Sequence, residues 1–304
     1  MIETFQRTLP NGITLSCRAS GTPGRPVMLF LHGFPEGAFI WDELLEHFAQ
    51  PAHGGYRCIA PNLRGFEQSS APPAVADYRP HLLVQDIHQL AATESADGVI
   101  DTLVAHDWGG AFGWGFANAF PTQLRRLVIL NSPHPGTFAR ELRENPAQQK
   151  ASAYMQFLAR TDAPALLAED DYRRMWPFFT AMGAGAERFG WLTETVKDQY
   201  RALWGAGLRG ACNLYAVTPL KPPQEGQSVD AIPLLPRERL TVDVPTLVLW
   251  ALDDTALLPG LLDGLDDYVP ALEVVKIPDA THWIVHEQPQ RVIAEIAAFI
   301  ERTQ

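Results

Sequence analysis

The stretch TLVAHDWGGAFGW, residues 102–114, decides the fold. Its first half is an unbroken apolar run that reads as the end of a buried β-strand. From Gly109 onward it reads as the start of a helix. Between the two, Asp107 stands on a very tight turn, with Ala105 before it and Gly109 and Gly110 after it. A strand, a sharp turn and a helix with small residues around the apex hold a nucleophile out of the backbone. The usual occupant is serine; here it is a carboxylate.

Further short apolar runs lie on either side. Residues 26–31, 57–61, 101–106, 124–131, 245–250 and 272–277 read as buried parallel strands. Helical patterns over residues 78–95, 109–120, 257–269 and 287–302 separate them. Residues 13–17 add an antiparallel edge hairpin. Alternating strands and helices predict an α/β fold, a mostly parallel sheet with helices on both faces. The alternation stops after Asn131. Helices are expected there over residues 149–158, 170–182, 194–203 and 209–217, followed by a proline-rich return. The chain is therefore divided into a first half of the α/β core (residues 1–132), an inserted helical cap (133–240) and a second half of the core (241–304).

With 304 residues, 46% hydrophobic and 19% charged, the chain can bury a sizeable core. A net charge of −11 disfavours nucleic acid and anionic membrane as partners. Cys17, Cys58 and Cys212 are widely spaced and form no CxxC, which argues against a disulfide framework or a zinc site. No signal peptide or membrane-spanning run is evident, so a cytoplasmic protein is expected.

Four features follow different strand runs: HGFP at residues 32–35, Asp107, Asp254 and His282. In a parallel sheet they share the carboxyl edge, where α/β proteins place their sites. Their order is nucleophile, acid, base. His282 would be oriented by Asp254, and the backbone N–H groups of Phe34 and Trp108 would form an oxyanion hole. His134, at the exit from core to cap, reads as a hinge or packing residue. A carboxylate is ionised near neutral pH and can displace a leaving group at saturated carbon, forming an ester of the enzyme. Water activated by His282 would then hydrolyse that ester. Such chemistry suits an epoxide, a haloalkane or a halo-acid, and argues against an ordinary esterase.

On these residues the sequence resembles the α/β-hydrolase superfamily and, within it, the epoxide hydrolases, over essentially the whole chain. HGFPEGAFIW looks like the family's oxyanion loop, AHDWGG its nucleophile elbow, WALDDTALLPG its acid loop and DATHWIVHEQP its histidine loop. These loops nominate Asp254 over Asp253 and His282 over His286. PNLRGFEQSS is similar to a family D-L-R-G-Y-G-x-S segment but carries Asn62 for Asp and Glu67 for Gly. The resemblance implies two cap tyrosines that meet the epoxide oxygen, here Tyr154 and Tyr215, with Leu214 and Ala216 departing from the usual neighbours. It also implies no metal or organic cofactor, a small apolar epoxide and water as reactants, and a vicinal diol as product. A homodimer is left open.

Haloalkane dehalogenases share these motifs and the same Asp-His-Asp set, and are the alternative. They need a second halide donor; Phe34 offers none from its side chain, while Trp176, Trp191 and Trp204 keep the option open. Fluoroacetate dehalogenases carry arginines where this chain has Trp108 and Ala111, and a cap His-Trp pair near Tyr154 and Met155. Relatives that place the relay acid after the LVILN strand would have it at Asn131, which leaves Asp254 here. A non-catalytic ligand-binding protein on the same fold is the remote alternative.

Overall fold

The computed structural model describes residues 1–180, 188–224 and 226–304. Its strands are β1 (Glu3–Thr8), β2 (Thr14–Ser20), β3 (Val27–Leu31), β4 (Arg57–Pro61), β5 (Ile100–His106), β6 (Leu124–Leu130), β7 (Thr246–Ala251) and β8 (Leu272–Ile277). They form one sheet in the order β1-β2-β4-β3-β5-β6-β7-β8. The β1/β2 and β2/β4 pairs are antiparallel, and every pair from β4 to β8 is parallel. Every residue of β3, β4, β5 and β7 is buried, which is why these strands read as continuous apolar runs.

Side chains alternate between two apolar layers. Met28, Phe30, Val104, Leu130 and Leu249 pack on one face with α1 (Asp42–Phe48) and a C-terminal helix, Pro289–Arg302. Leu29, Leu31, Leu103, Ala105 and Ile129 pack on the other with α2 (Pro80–Glu94) and α3 (Trp108–Ala119). Burying each such side chain contributes roughly 1.5–3 kcal/mol. No helix among the described residues is long and apolar enough to cross a membrane.

Between β6 and β7 the described residues form helices and no strand: α4 (Pro135–Glu144), α5 (Pro146–Ala151), α6 (Tyr154–Leu158), α7 (Ala163–Tyr172), α8 (Trp176–Thr180), α9 (Glu194–Gly205) and α10 (Arg209–Val217). After β8 come α11 (Ile284–Glu287) and α12 (Pro289–Arg302). His134 ties the two ends of the cap together. Its Nδ1 accepts the Gly136 N–H, and Nε2–H donates to the Leu240 carbonyl at 3.0 Å, linking the chain that leaves β6 to the chain that returns to β7. Burial pushes its pKa down to about 4, so the ring is neutral and this donor pattern is stable.

Several expected elements differ. Residues 257–269 are not a helix but two 3₁₀ turns, Pro259–Leu262 and Leu265–Asp267. Pro259 lacks an N–H, and Gly264 sits at φ 67°, outside the helical region. The expected helix over 149–158 is divided into α5 and α6. The one over 170–182 is broken where Asp170, Asp171 and Tyr172 take positive φ, and residues 181–182 lie outside the described residues. The antiparallel edge hairpin expected at residues 13–17 is β2 paired with the edge strand β1, whereas α4 is an element the sequence pattern did not announce.

Candidate active site

Asp107 lies at φ 49°, ψ −121°, a conformation rare for a residue with a Cβ. The surroundings hold it there. Ser132 Oγ donates to the Asp107 carbonyl at 2.6 Å, and the Ala111 N–H does so at 3.1 Å. The small residues of the elbow have steric causes. A Cβ on Gly109 would collide with the Leu31 carbonyl, and one on Gly110 with the Ser132 side chain. The carboxylate is thereby presented over the carboxyl edge of the sheet.

Its two oxygens meet different neighbours. Oδ1 accepts the Phe34 N–H at 2.7 Å. Oδ2 lies 3.7 Å from His282 Nε2. The loop carrying Phe34 is fixed by the fully buried His32, which lies 2.9 Å from the Gly33 carbonyl through Nδ1 and accepts the Leu63 N–H through Nε2. Trp108 opens α3, so its N–H has no acceptor within the helix.

Behind His282 stands Asp254. Its Oδ2 is 2.7 Å from His282 Nδ1 and accepts the Asn131 side-chain N–H at 2.7 Å, while Oδ1 accepts the Ala256 and Leu257 N–H groups. Burial opposes ionisation of Asp254, but His282, these N–H groups and Asn131 override it and hold the carboxyl below its usual range. For His282, burial opposes the imidazolium, but the Asp254 carboxylate, with help from Asp107 and Glu36, raises the pKa to about 9. Asp253 instead pairs with Arg188 at the surface.

The cap brings two phenols to the same carboxylate. Tyr154 opens α6 and Tyr215 lies on α10, with ring centroids 6.1 Å apart. Tyr215 packs edge-on against Phe34 and Trp108, with centroids 5.2 and 5.1 Å away. Both tyrosines line cavities that also contain Asp107. Burial pushes both phenols above their ordinary pKa, and the Asp107 charge adds to this, so both stay protonated. Helix α10 reaches this depth because Gly210 packs directly on Gly65, where neither position has room for a Cβ. Lys221 Nζ donates to the Tyr215 and Ala216 carbonyls at 3.1 Å and caps the end of α10. Near Gly65, Asn62 donates to Glu67 Oε2, which also accepts from Ser16 Oγ, and Asn62 Oδ1 accepts the Ala38 N–H. The two departures from the family segment are thus partners of one another.

Sequence reasoning passed over a buried cluster beneath the histidine loop. Glu36 Oε1 accepts from Tyr200 and lies 2.8 Å from His286 Nε2, while Oε2 lies 3.3 Å from His106 Nδ1. His106 Nε2 is 2.8 Å from the His282 carbonyl oxygen. Burial opposes the Glu36 charge, yet His106 and His286 hold it well below the carboxylate range. Glu36 therefore connects cap helix α9, through Tyr200, to the backbone of His282. Asn131, noted in the sequence only for not being an acid, bridges Asp254 and the Ala251 N–H. The three tryptophans kept open as halide donors stand away from Asp107. Trp176 and Trp204 donate to the Asp171 and Pro35 carbonyls, Trp191 stacks on His286, and none of the three lines the cavities at Asp107.

Residues 26–289 match the α/β hydrolase fold family. The chain is 30% identical over 300 residues to epoxide hydrolase 3 of Xenopus tropicalis, covering 98% of this chain and 77% of that one. Epoxide hydrolase 4 of Mus musculus is 28% identical over 302 residues, covering 98% and 79%. The crystal structure of the Bacillus megaterium epoxide hydrolase with an inhibitor matches with a TM-score of 0.86 at 30% identity, covering 98% of this chain and all of that one. A hydrolase fold with a carboxylate at its elbow, matched end to end by these relatives, places the chain in the α/β-hydrolase superfamily and, within it, among the epoxide hydrolases.

Proposed function

We propose that this protein hydrolyses epoxides to vicinal diols through an ester on Asp107. Asp107 Oδ2 attacks a ring carbon, and the C–O bond opens. Tyr154 and Tyr215 hydrogen-bond the departing oxygen and supply its proton, which both phenols hold at neutral pH. Oδ1 becomes the ester carbonyl oxygen, already against the Phe34 N–H at 2.7 Å, with the Trp108 N–H as the second donor. His282, oriented by Asp254, takes a proton from water, which attacks the ester carbon. The tetrahedral oxyanion collapses and the C–Oδ2 bond breaks; the expelled diol oxygen takes the second proton of the water, the carboxylate is restored, and the proton held by His282 returns to the tyrosine that donated its own.

One observation carries this function: a pinned carboxylate has a backbone donor on one oxygen, a base beside the other, and two protonated phenols lining the same cavity. Residues 1–132 and 241–304 supply the charge-handling groups, and residues 133–240 the proton donors. The haloalkane dehalogenase alternative loses support because none of Trp176, Trp191 and Trp204 lines the cavities at Asp107, and Trp176 and Trp204 donate their indole N–H groups to backbone carbonyls.

The test uses His282→Gln, in which ester hydrolysis should stall. Incubated with aryl and alkyl epoxides, the variant should gain the mass of the whole epoxide on the peptide containing Asp107. A gain of an alkyl group alone from bromoalkanes, with epoxides inert, would make the protein a dehalogenase and return both tyrosines to packing.

A further inference from the structure

Asp107, Tyr154 and Tyr215 stand on the boundary between two chambers of very different size. The chamber on the His282 side measures about 20 Å³ and is walled by Phe34, Phe178, Ala256 and Trp283 among the described residues. A water needs roughly 10–15 Å³ on this measure. The chamber therefore accepts the hydrolytic water or one small carbon group. Its wall is braced: Phe178 packs edge-on against Phe34 and Tyr154, at 5.4 and 6.1 Å, and its carbonyl accepts the Trp283 indole N–H at 3.1 Å. On the other side lies a cavity of about 470 Å³, lined by apolar groups including Ala111, Phe112, Phe138, Met155 and Leu257. It reaches the surface at Leu235, which is 48% exposed.

An oxirane in this site has one carbon against Asp107 and its oxygen at the tyrosines. All three residues line both chambers, so a ring held at those points spans the boundary. Substituents on its two carbons then point into opposite chambers. Resting on the epoxide hydrolase reading above, we propose that the substrates are terminal epoxides carrying one long or aryl apolar arm, which occupies the large cavity. Epoxides with a group larger than methyl on both carbons are rejected by the Phe178 wall.

Two isomers of equal composition test this: 1-octene oxide, with all its carbon on one side, and trans-4-octene oxide, with a propyl group on each side. The wild-type kcat/KM is expected to favour 1-octene oxide by about 100-fold or more, since a pocket too small for a group discriminates about 10–200-fold per methylene. Phe178→Ala, whatever it does to the rate common to both isomers, should shrink the preference for 1-octene oxide over trans-4-octene oxide by about 10-fold or more; an unchanged preference would overturn the assignment of the wall. Ala111→Phe, which fills the large cavity, should lower the ratio of 1-octene oxide to propylene oxide turnover by about 10-fold; an unchanged ratio would remove the large cavity as the seat of the arm. The wild-type ratio needs no variant and decides the matter if Phe178→Ala fails to fold. Equal rates with the two octene oxides would overturn the substrate assignment and leave the enzyme an epoxide hydrolase. Absence of diol from all three epoxides, propylene oxide included, would overturn both.

Discussion

The part of the site carried by the sheet and the part carried by the cap are held by different forces. At the sheet edge the charged groups have named polar partners. Asp254 has four, His282 is bonded to it at 2.7 Å, and one oxygen of Asp107 rests on the Phe34 N–H. In the cap, Tyr154 and Tyr215 are positioned by rings, packed edge-on against Phe178, Phe34, Trp108 and each other. Hydrogen bonds fix direction and distance, so in the proposed reaction the sheet half sets where charge develops. Ring contacts tolerate shape changes, and burial moves the loss of both phenol protons further above neutral pH. On this contrast, changes at the sheet edge act on making and breaking the ester, whereas changes in the cap act on protonation and on substrate choice.

The contrast breaks most completely when the carboxylate is removed. Asp107→Ala is expected to cut diol formation by at least about 10⁴-fold with an unchanged circular dichroism spectrum; substantial residual turnover would remove Asp107 as nucleophile. On the cap side, the double change Tyr154→Phe and Tyr215→Phe keeps the ring packing and removes both donors. Rapid-quench kinetics should register an alkylation rate lowered by about 10²–10⁴-fold, with ester hydrolysis altered far less. Normal alkylation in that variant would contradict the assigned proton donors.

A pH profile sharpens the comparison further. His282 works as a base only when neutral, and its pKa in the free protein is raised to about 9 by Asp254, Asp107 and Glu36 acting against burial. Ester hydrolysis should therefore speed up as pH rises. Its midpoint should fall below the free-protein value, because esterification removes the Asp107 charge. Glu36→Gln removes another negative charge and should lower the midpoint again, with the plateau rate changing by about 10-fold or less. Single-turnover hydrolysis across pH reads both; a midpoint that Glu36→Gln leaves in place would detach this cluster from His282. The smallest effect belongs to Asn62→Asp, which sets a second carboxylate against Glu67. Urea unfolding should register a loss of about 1–2 kcal/mol with kcat unchanged, and adding Glu67→Gly should restore it.

The elbow and the parallel strands were legible because each has a one-dimensional signature: a buried strand is a continuous apolar run, and the site groups follow strand ends. The same holds for Asp107, Asp254 and His282, which the sheet gathers at one edge. The helix expected over 257–269 failed because apolar spacing counts side chains, whereas Pro259 and Gly264 act through the backbone. The cluster of Glu36, His106, Tyr200 and His286 was invisible for another reason. Four separate segments supply it, and no spacing within any of them marks the contact. Asn62 and Glu67 looked like two unrelated departures until their side chains were seen to meet.

The unequal surroundings of the two Asp107 oxygens have an isotopic consequence. Oδ1 is held by the Phe34 N–H, and Oδ2 faces His282. In the proposed reaction the ester is cleaved at its carbonyl, so Oδ2 departs with the diol and the oxygen from water takes its place. In heavy-oxygen water the diol of the first turnover is then unlabelled. If the Phe34 contact keeps the carboxylate from rotating, every later diol carries one heavy oxygen, and the enzyme never holds more than one. A freely turning carboxylate would instead release label gradually and end with both of its oxygens exchanged. The sequence of labelled products thus records whether a single backbone N–H keeps its oxygen from one cycle to the next.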